Sequence, residues 1–331
     1  MTWISALPLL LGALCSVTSC TWLDHPTSNA LQRELAEKSR KGLALAMFFR
    51  PDELNLTARP FNGPIQTIHM QCCPGPTQGR RISRSRIVMV DMSNAPAIDS
   101  LRDAVGSLAG IPLYGGQVVE MDSQGSVINR SIVRFHPATV SLSADGEHFA
   151  ILGAPLGPGD WVRATGVYVG GFHVKEIRKL IEAEPAAPFS AIESESSVDW
   201  SPDGSALLLS QLGSVSLIDV QTGRSRKIVD GGAARWSPDG VSMSYVTLKS
   251  EAALLNVSSG ESKLIDPGKK VNAPLEWSPD GKYLIVAEEQ GSHVYEGCLW
   301  VYRVSDGAWA PFPDYGVFAK RWYWIQLETA N

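Results

Sequence analysis

Side chains able to carry chemistry are thinly spread along these 331 residues. Histidines stand at positions 25, 69, 136, 148, 173 and 293, and none is paired with another His or a Cys at zinc-ligand spacing. His148 lies in an alternating run after Gly146, where a surface or packing role is expected. Glu193 and Glu195 bracket one residue of a Ser-rich stretch and read as solvated carboxylates rather than a general acid and base. There is no Gly-x-Ser-x-Gly elbow, phosphate loop, His-Glu-x-x-His helix or dinucleotide glycine pattern. The sequence therefore assigns no catalytic, cofactor-binding or metal residue.

What recurs is an aspartate in a fixed setting. Trp200-Ser-Pro-Asp-Gly204, Trp236-Ser-Pro-Asp-Gly240 and Trp277-Ser-Pro-Asp-Gly281 stand 36 and 41 residues apart, and Leu142-Ser-Ala-Asp-Gly146 is a worn copy upstream. Periodicity of this kind marks a repeat array rather than a single core. Pro presets the first turn position, Asp hydrogen-bonds locally, and Gly supplies a positive φ, so each pentapeptide reads as a hairpin turn. Asp145, Asp203, Asp239 and Asp280, with Gly146, Gly204, Gly240 and Gly281, are accordingly structural, and Trp200, Trp236 and Trp277 offer flat surfaces for packing on an adjoining sheet. Downstream of Gly204 come Ala206–Leu209, Val215–Asp219, the Thr222-Gly223 turn and Lys227–Asp230, which make four short strands once the Trp strand is counted. The second and third copies repeat that order. So small a sheet must stack on its neighbours to bury enough surface.

These copies, each followed by an apolar strand, a variable strand and an Asp-x-x-Ser/Thr-Gly turn, resemble the blades of TolB-type β-propellers, also found in prolyl oligopeptidases. The resemblance covers about residues 140 to 324 and implies an all-β propeller of four-stranded blades. Six blades are expected, with five or seven as alternatives. Lys320-Arg-Trp322 resembles the strand that opens each repeat and could close the ring by completing the first blade. The expected organisation is a signal peptide at 1–19, a tether and helix at 20–42, early blades or a small α/β domain at 43–138, and the repeat blades at 139–331. Thr27 or Ser28 caps a helix running to Lys41, with Leu31 and Leu35 on one face, Glu34 and Lys38 paired, and Gly42 as a stop. Two more helices are expected, over 97–108 and 174–184, the latter within an insertion from Pro155 to Pro188. Arg80, Arg81, Arg84 and Arg86 read as a solvated loop.

The N-terminus adds a location. No charged side chain precedes Asp24, Ile4 to Val17 is dominated by apolar and small residues, and Val17-Thr-Ser-Cys20 looks like a bacterial lipobox. Cys20 is therefore the expected lipidation site of a periplasmic or outer-membrane-associated lipoprotein, with simple secretion as the alternative. Processing there leaves Cys72, Cys73 and Cys298, which allow one disulfide or stay as free thiols. A net charge of −5 disfavours general nucleic-acid binding. The reading is a non-catalytic, lipid-anchored propeller that binds an envelope protein or peptide, needs no cofactor and touches the membrane only through its anchor. The alternative is a propeller enzyme, a glycan lyase, glycosidase or lactonase, with a channel active site.

Overall fold

The computed structural model describes residues 26–48, 55–71, 77–83, 86–91, 116–155, 165–183, 196–266, 269–271, 275–289, 297–312 and 322–327. The leader, Cys20, Cys72, Cys73, Arg84, Glu193, Glu195 and the expected helix at 97–108 lie outside these residues. Cys298 stands in a described strand, but the pairing proposed for it involves residues that are not described.

Six antiparallel four-stranded blades are arranged in a ring. Blade 4 shows the plan: β11 (Ser197–Trp200) is innermost, followed outward by β12 (Ala206–Gln211), β13 (Ser214–Asp219) and β14 (Ser225–Asp230). Blade 5 repeats it with β15 (Gly232–Trp236), β16 (Ser242–Val246), β17 (Ala252–Asn256) and β18 (Ser262–Leu264). Blade 6 follows with β19 (Glu276–Trp277), β20 (Tyr283–Glu289), β21 (Gly297–Arg303) and β22 (Trp309–Pro311). Blades 2 and 3 share one long strand. In blade 2, β4 (Thr77–Ser83), β5 (Arg86–Asp91) and β6 (Gly116–Met121) pair outward to the first half of β7 (Val127–Leu142). The second half of β7 is the inner strand of blade 3 and pairs with β8 (His148–Pro155), which leads to β9 (Gly166–Gly171) and β10 (Ile177–Glu182).

Blade 1 closes the ring. Its outer strands β1 (Leu43–Phe48), β2 (Asn55–Pro60) and β3 (Gln66–His69) come from the N-terminal part of the chain, while its inner strand β23 (Tyr323–Gln326) comes from the C-terminal part. Closure is thus a non-local pairing, with Leu45 opposite Trp324 and Leu43 opposite Gln326.

Apolar clusters lie between blades, which explains why the strands read as continuous apolar runs. In β12, Leu207 and Leu209 pack toward blade 3 with Ala150, Leu152 and Val167, whereas Leu208 packs toward blade 5 with Ala234, Met243 and Tyr245. Both faces of a blade are covered, so both side-chain sets must be apolar.

Helix α1 (Asn29–Arg40) starts where Ser28 accepts a hydrogen bond from the Leu31 amide at 3.2 Å, and it ends in Lys38 and Arg40, which suit the helix dipole. Leu31 and Leu35 are buried between β1 and the outer strands of blade 6. Glu34 and Lys38 do not pair with each other. Glu34 meets Tyr283 and Arg303, and Lys38 meets Asp280, so the helix clasps blade 6 to blade 1 at the seam.

Two expectations are corrected. The helix expected over 174–184 is not formed at the described residues 174–183: Ile177–Glu182 is strand β10, because hydrogen bonding to β9 and packing of Leu180 and Ile181 against blade 4 override a helix-favouring composition. Of the stretch from Pro155 to Pro188, the described residues 165–183 hold the two outer strands of blade 3, and the remainder of the expected insertion lies outside the described residues. The arginine group is not a loop either. Arg80 and Arg81 stand in β4 and Arg86 opens β5, where it pairs with the fully buried Glu120.

Candidate binding site at the channel mouth

Each pentapeptide closes the hairpin between the inner strand and the next strand outward, with the same hydrogen bonds in four blades. The glycine amide donates to the serine carbonyl three residues back, at 3.1 Å for Gly146 and Gly204 and 2.9 Å for Gly240 and Gly281. Those glycines have φ of +77°, +76°, +73° and +70°, the left-handed region that side chains avoid. The serine hydroxyl accepts the amide of the residue that starts the next strand: His148, Ala206, Ser242 and Tyr283. It donates to the aspartate, at 2.5 Å for Ser143–Asp145, 2.6 Å for Ser201–Asp203, 2.5 Å for Ser237–Asp239 and 2.7 Å for Ser278–Asp280.

These bonds shift Asp145, Asp203 and Asp280. The Ser143 and Ser201 hydroxyls, with the amides of Glu147 and Ser205, hold Asp145 and Asp203 below the usual carboxylate range. Burial pushes Asp280 up, but the Lys38 ammonium, the Ser278 hydroxyl and the Lys282 amide together leave it lowered. All four aspartates bind their own turns, and Asp280 also meets Lys38 of the helix.

The tryptophans come together. At this end of the channel a cavity is lined by one large apolar side chain from each inner strand: Ile82, Leu142, Trp200, Trp236, Trp277 and Trp324, in blades 2 to 6 and 1. Four of the six inner strands pair in one register, Leu142 opposite Phe149, Trp200 opposite Leu207, Trp236 opposite Met243 and Trp277 opposite Leu284. In blade 1 the equivalent residue is Trp324, opposite Leu45, and not Trp322 of the expected motif. Pro202, Pro238 and Pro279 add to the rim.

Just below, the residues preceding these side chains form a belt across the blades. Ser141 Oγ accepts the Trp200 amide at 3.1 Å, and Asp199 Oδ2 accepts the Trp236 amide at 2.7 Å. Arg235 Nε donates to Glu276 Oε1 at 2.9 Å, and its Nη1 donates to Ser197 Oγ at 3.1 Å. The Trp277 indole donates to the Arg235 carbonyl at 3.3 Å and the Trp324 indole to the Glu276 carbonyl at 3.0 Å. The indole nitrogens of Trp200 and Trp236 are buried without a partner. Asp199, Arg235 and Glu276 escaped the reading of the sequence. The available signal was a polar residue immediately before each repeat tryptophan, in strands that are otherwise apolar.

Chemically, this mouth mixes apolar and polar groups: Ile82, Leu142, Trp200 and Trp324 are buried in its wall, Trp236, Trp277, Pro202 and Pro238 are partly exposed, Pro279 is exposed, and Asp199, Arg235 and Glu276 line the same cavity already engaged with one another or with neighbouring amides. His148 lies exposed, 3.7 Å from Asp145. Among the described residues no three His, Cys, Asp or Glu side chains are grouped as a metal site requires.

The fold has known counterparts among solved structures. TolB from Acinetobacter baumannii superposes with a TM-score of 0.55 at 16% identity, over 86% of this chain and 66% of that one. A TolB-type propeller is what this chain folds into. The structure of putative TolB from Agrobacterium tumefaciens gives a TM-score of 0.53 at 11% identity, over 82% of this chain and 88% of that one. The chain thus spans just under two thirds of the length of the Acinetobacter TolB structure. No family model matches the sequence, and no curated protein does. In this TolB-type propeller the Trp-Ser-Pro-Asp-Gly copies set both the hairpin geometry and the wall of the channel mouth.

Proposed function

We propose that this TolB-type propeller is a non-catalytic module of the cell envelope that binds a protein or peptide partner at the channel mouth. The carrying observation is the mouth itself, where six apolar side chains from six blades share one cavity with charges that are already engaged. A general acid or base must offer a free proton-exchanging group to its substrate. Here Arg235 and Glu276 hold one another and Asp199 holds a neighbouring amide, so these groups join blades. The partly exposed Trp236, Trp277 and rim prolines, beside satisfied charges, suit recognition of a peptide that brings both apolar and hydrogen-bonding groups. The apolar leader and the lipobox motif support a periplasmic location with Cys20 as the lipid anchor, and a bridge from Cys72 or Cys73 to Cys298 would tie an early segment to blade 6.

The test places a photo-crosslinking amino acid at Val241, which is 52% exposed beside the blade 5 turn, and at Lys227 on an outer strand as control. The expected result is a discrete partner adduct from Val241 and none from Lys227, with membrane association lost in Cys20→Ala. Equal labelling from both positions, or none, refutes the mouth as the binding site.

A further inference from the structure

The opposite face of the ring, where second strands turn into third strands, carries a local anomaly. Three non-glycine residues of the described chain have positive φ, and all three belong to the top of blades 4 and 5: Leu212 at +51°, Ala233 at +54° and Ser250 at +63°. Backbone outliers of this kind cluster where function requires them.

Leu212 and Gly213 form the two-residue turn between β12 and β13, with Gln211 opposite Ser214. Both turn residues have positive φ, with Gly213 at +70°, the type I′ requirement that Asn-Gly or Asp-Gly meets best. A leucine at the first position carries a steric cost, and here it is also 76% exposed. Folding alone favours Asn at that site twice over. In the adjacent blade, Ser250 occupies the left-handed position of the β16–β17 turn, where its amide donates to the Thr247 carbonyl at 2.9 Å. That turn displays Leu248, which is 68% exposed. A Cβ on Gly213 would stand 3.1 Å from Leu248 Cδ2, so Leu212, Gly213 and Leu248 make one continuous apolar ridge.

Two exposed lysines flank the ridge, with the half-buried Glu251 in the same turn as Leu248. Lys249 and Lys270 are exposed and have no ion pair among the described residues, and the Val271 amide, next to Lys270, donates to the Ser250 carbonyl at 2.7 Å. The nearby acid Asp230, opposite Ser214, is neutralised by Lys227 at 2.5 Å. The N-terminal segment joins the ring on the other face, where Ser28 meets Trp309 and Lys38 meets Asp280. A chain tethered from that side presents the ridge away from its tether, which favours a protein over a lipid surface.

We propose that Leu212 and Leu248, flanked by Lys249 and Lys270, dock an acidic amphipathic segment of a partner protein on the face opposite the channel mouth. The leucines fill the apolar side of the segment, and the lysines meet its carboxylates and make binding salt-dependent.

The experiment selects helical peptides from a displayed random library on the full-length protein, then measures their affinity for variants. Expected are peptides combining Leu, Ile or Phe with Asp and Glu. They should lose at least tenfold in affinity to Leu212→Asn/Leu248→Ser and to Lys249→Glu/Lys270→Glu, the latter being recovered when the peptide carboxylates are replaced by Lys. The Leu212→Asn protein should melt at or above the wild-type temperature, separating lost binding from lost folding. Selected peptides that bind the leucine double variant unchanged overturn the proposal. So does failure to select any acidic amphipathic binder. Binding of phosphatidylglycerol vesicles, or dimerisation, that disappears in Leu212→Asn gives the ridge to a membrane or to a second copy, and equally overturns it.

Discussion

Gly42 is the residue on which closure of the ring turns. It lies between α1 and β1 with φ +92°, and its carbonyl accepts the Leu327 amide at 2.8 Å, the bond that finishes the pairing of β1 with β23. A Cβ placed there would overlap the Leu327 carbonyl oxygen and stand 2.7 Å from Gln326 Nε2. Gly42→Ala therefore costs about 1–2 kcal/mol for the left-handed backbone. Because the obstruction is backbone, β23 must shift, weakening the Leu327–Gly42 and Gln326–Lys41 hydrogen bonds at roughly 1 kcal/mol each. The sum is about 3–4 kcal/mol. Gly260→Ala is the control: its φ is +73° and nothing lies within 4 Å, so only the backbone cost applies. At about 2 °C per kcal/mol for a chain of this size, Gly42→Ala should lower the melting temperature by roughly 6–8 °C and Gly260→Ala by roughly 2–4 °C. Limited proteolysis should release the C-terminal strand from Gly42→Ala alone. Equal losses for the two variants, with the same proteolysis pattern, would refute closure through this contact.

The Arg235–Glu276 pair is buried, so Arg235→Met alone should lose about 3–5 kcal/mol in chemical denaturation, whereas Arg235→Met with Glu276→Leu should recover most of it. A double variant as unstable as the single one would show that the pair is not the source of the loss. Asp145, Asp203 and Asp280 are held below their usual carboxylate range, so their contribution is present above the unfolded value, near 3.8, and is lost as pH falls through the folded values. Denaturation followed from pH 6 to pH 2 should show stability declining below about pH 4. Asp203→Asn should flatten that decline, and an unchanged slope would count against the turn aspartates.

Local chemistry made much of this protein legible. The Ser-Pro-Asp-Gly turns identify themselves because their bonds connect residues at most five apart, and the helix from Asn29 does so because its cap and its two buried leucines are set by helical spacing. The strands after each turn are readable because both faces of a blade are buried. By contrast, the partners of Glu34 and Lys38 lie on blade 6, and their helical spacing wrongly suggested that they pair with each other. Ile177–Glu182 reads as helix in isolation and becomes strand only because β9 supplies its hydrogen bonds.

From sequence alone came the repeat, its turn and hence the propeller. Closure of blade 1 by a C-terminal strand was also readable there; the tertiary structure decided that Trp324, not Trp322, joins Trp200, Trp236 and Trp277 at the mouth, and that Arg235 is neutralised by Glu276. The physical reason is range: turn bonds are written within a few residues, whereas the channel exists only once six distant strands are brought around one axis.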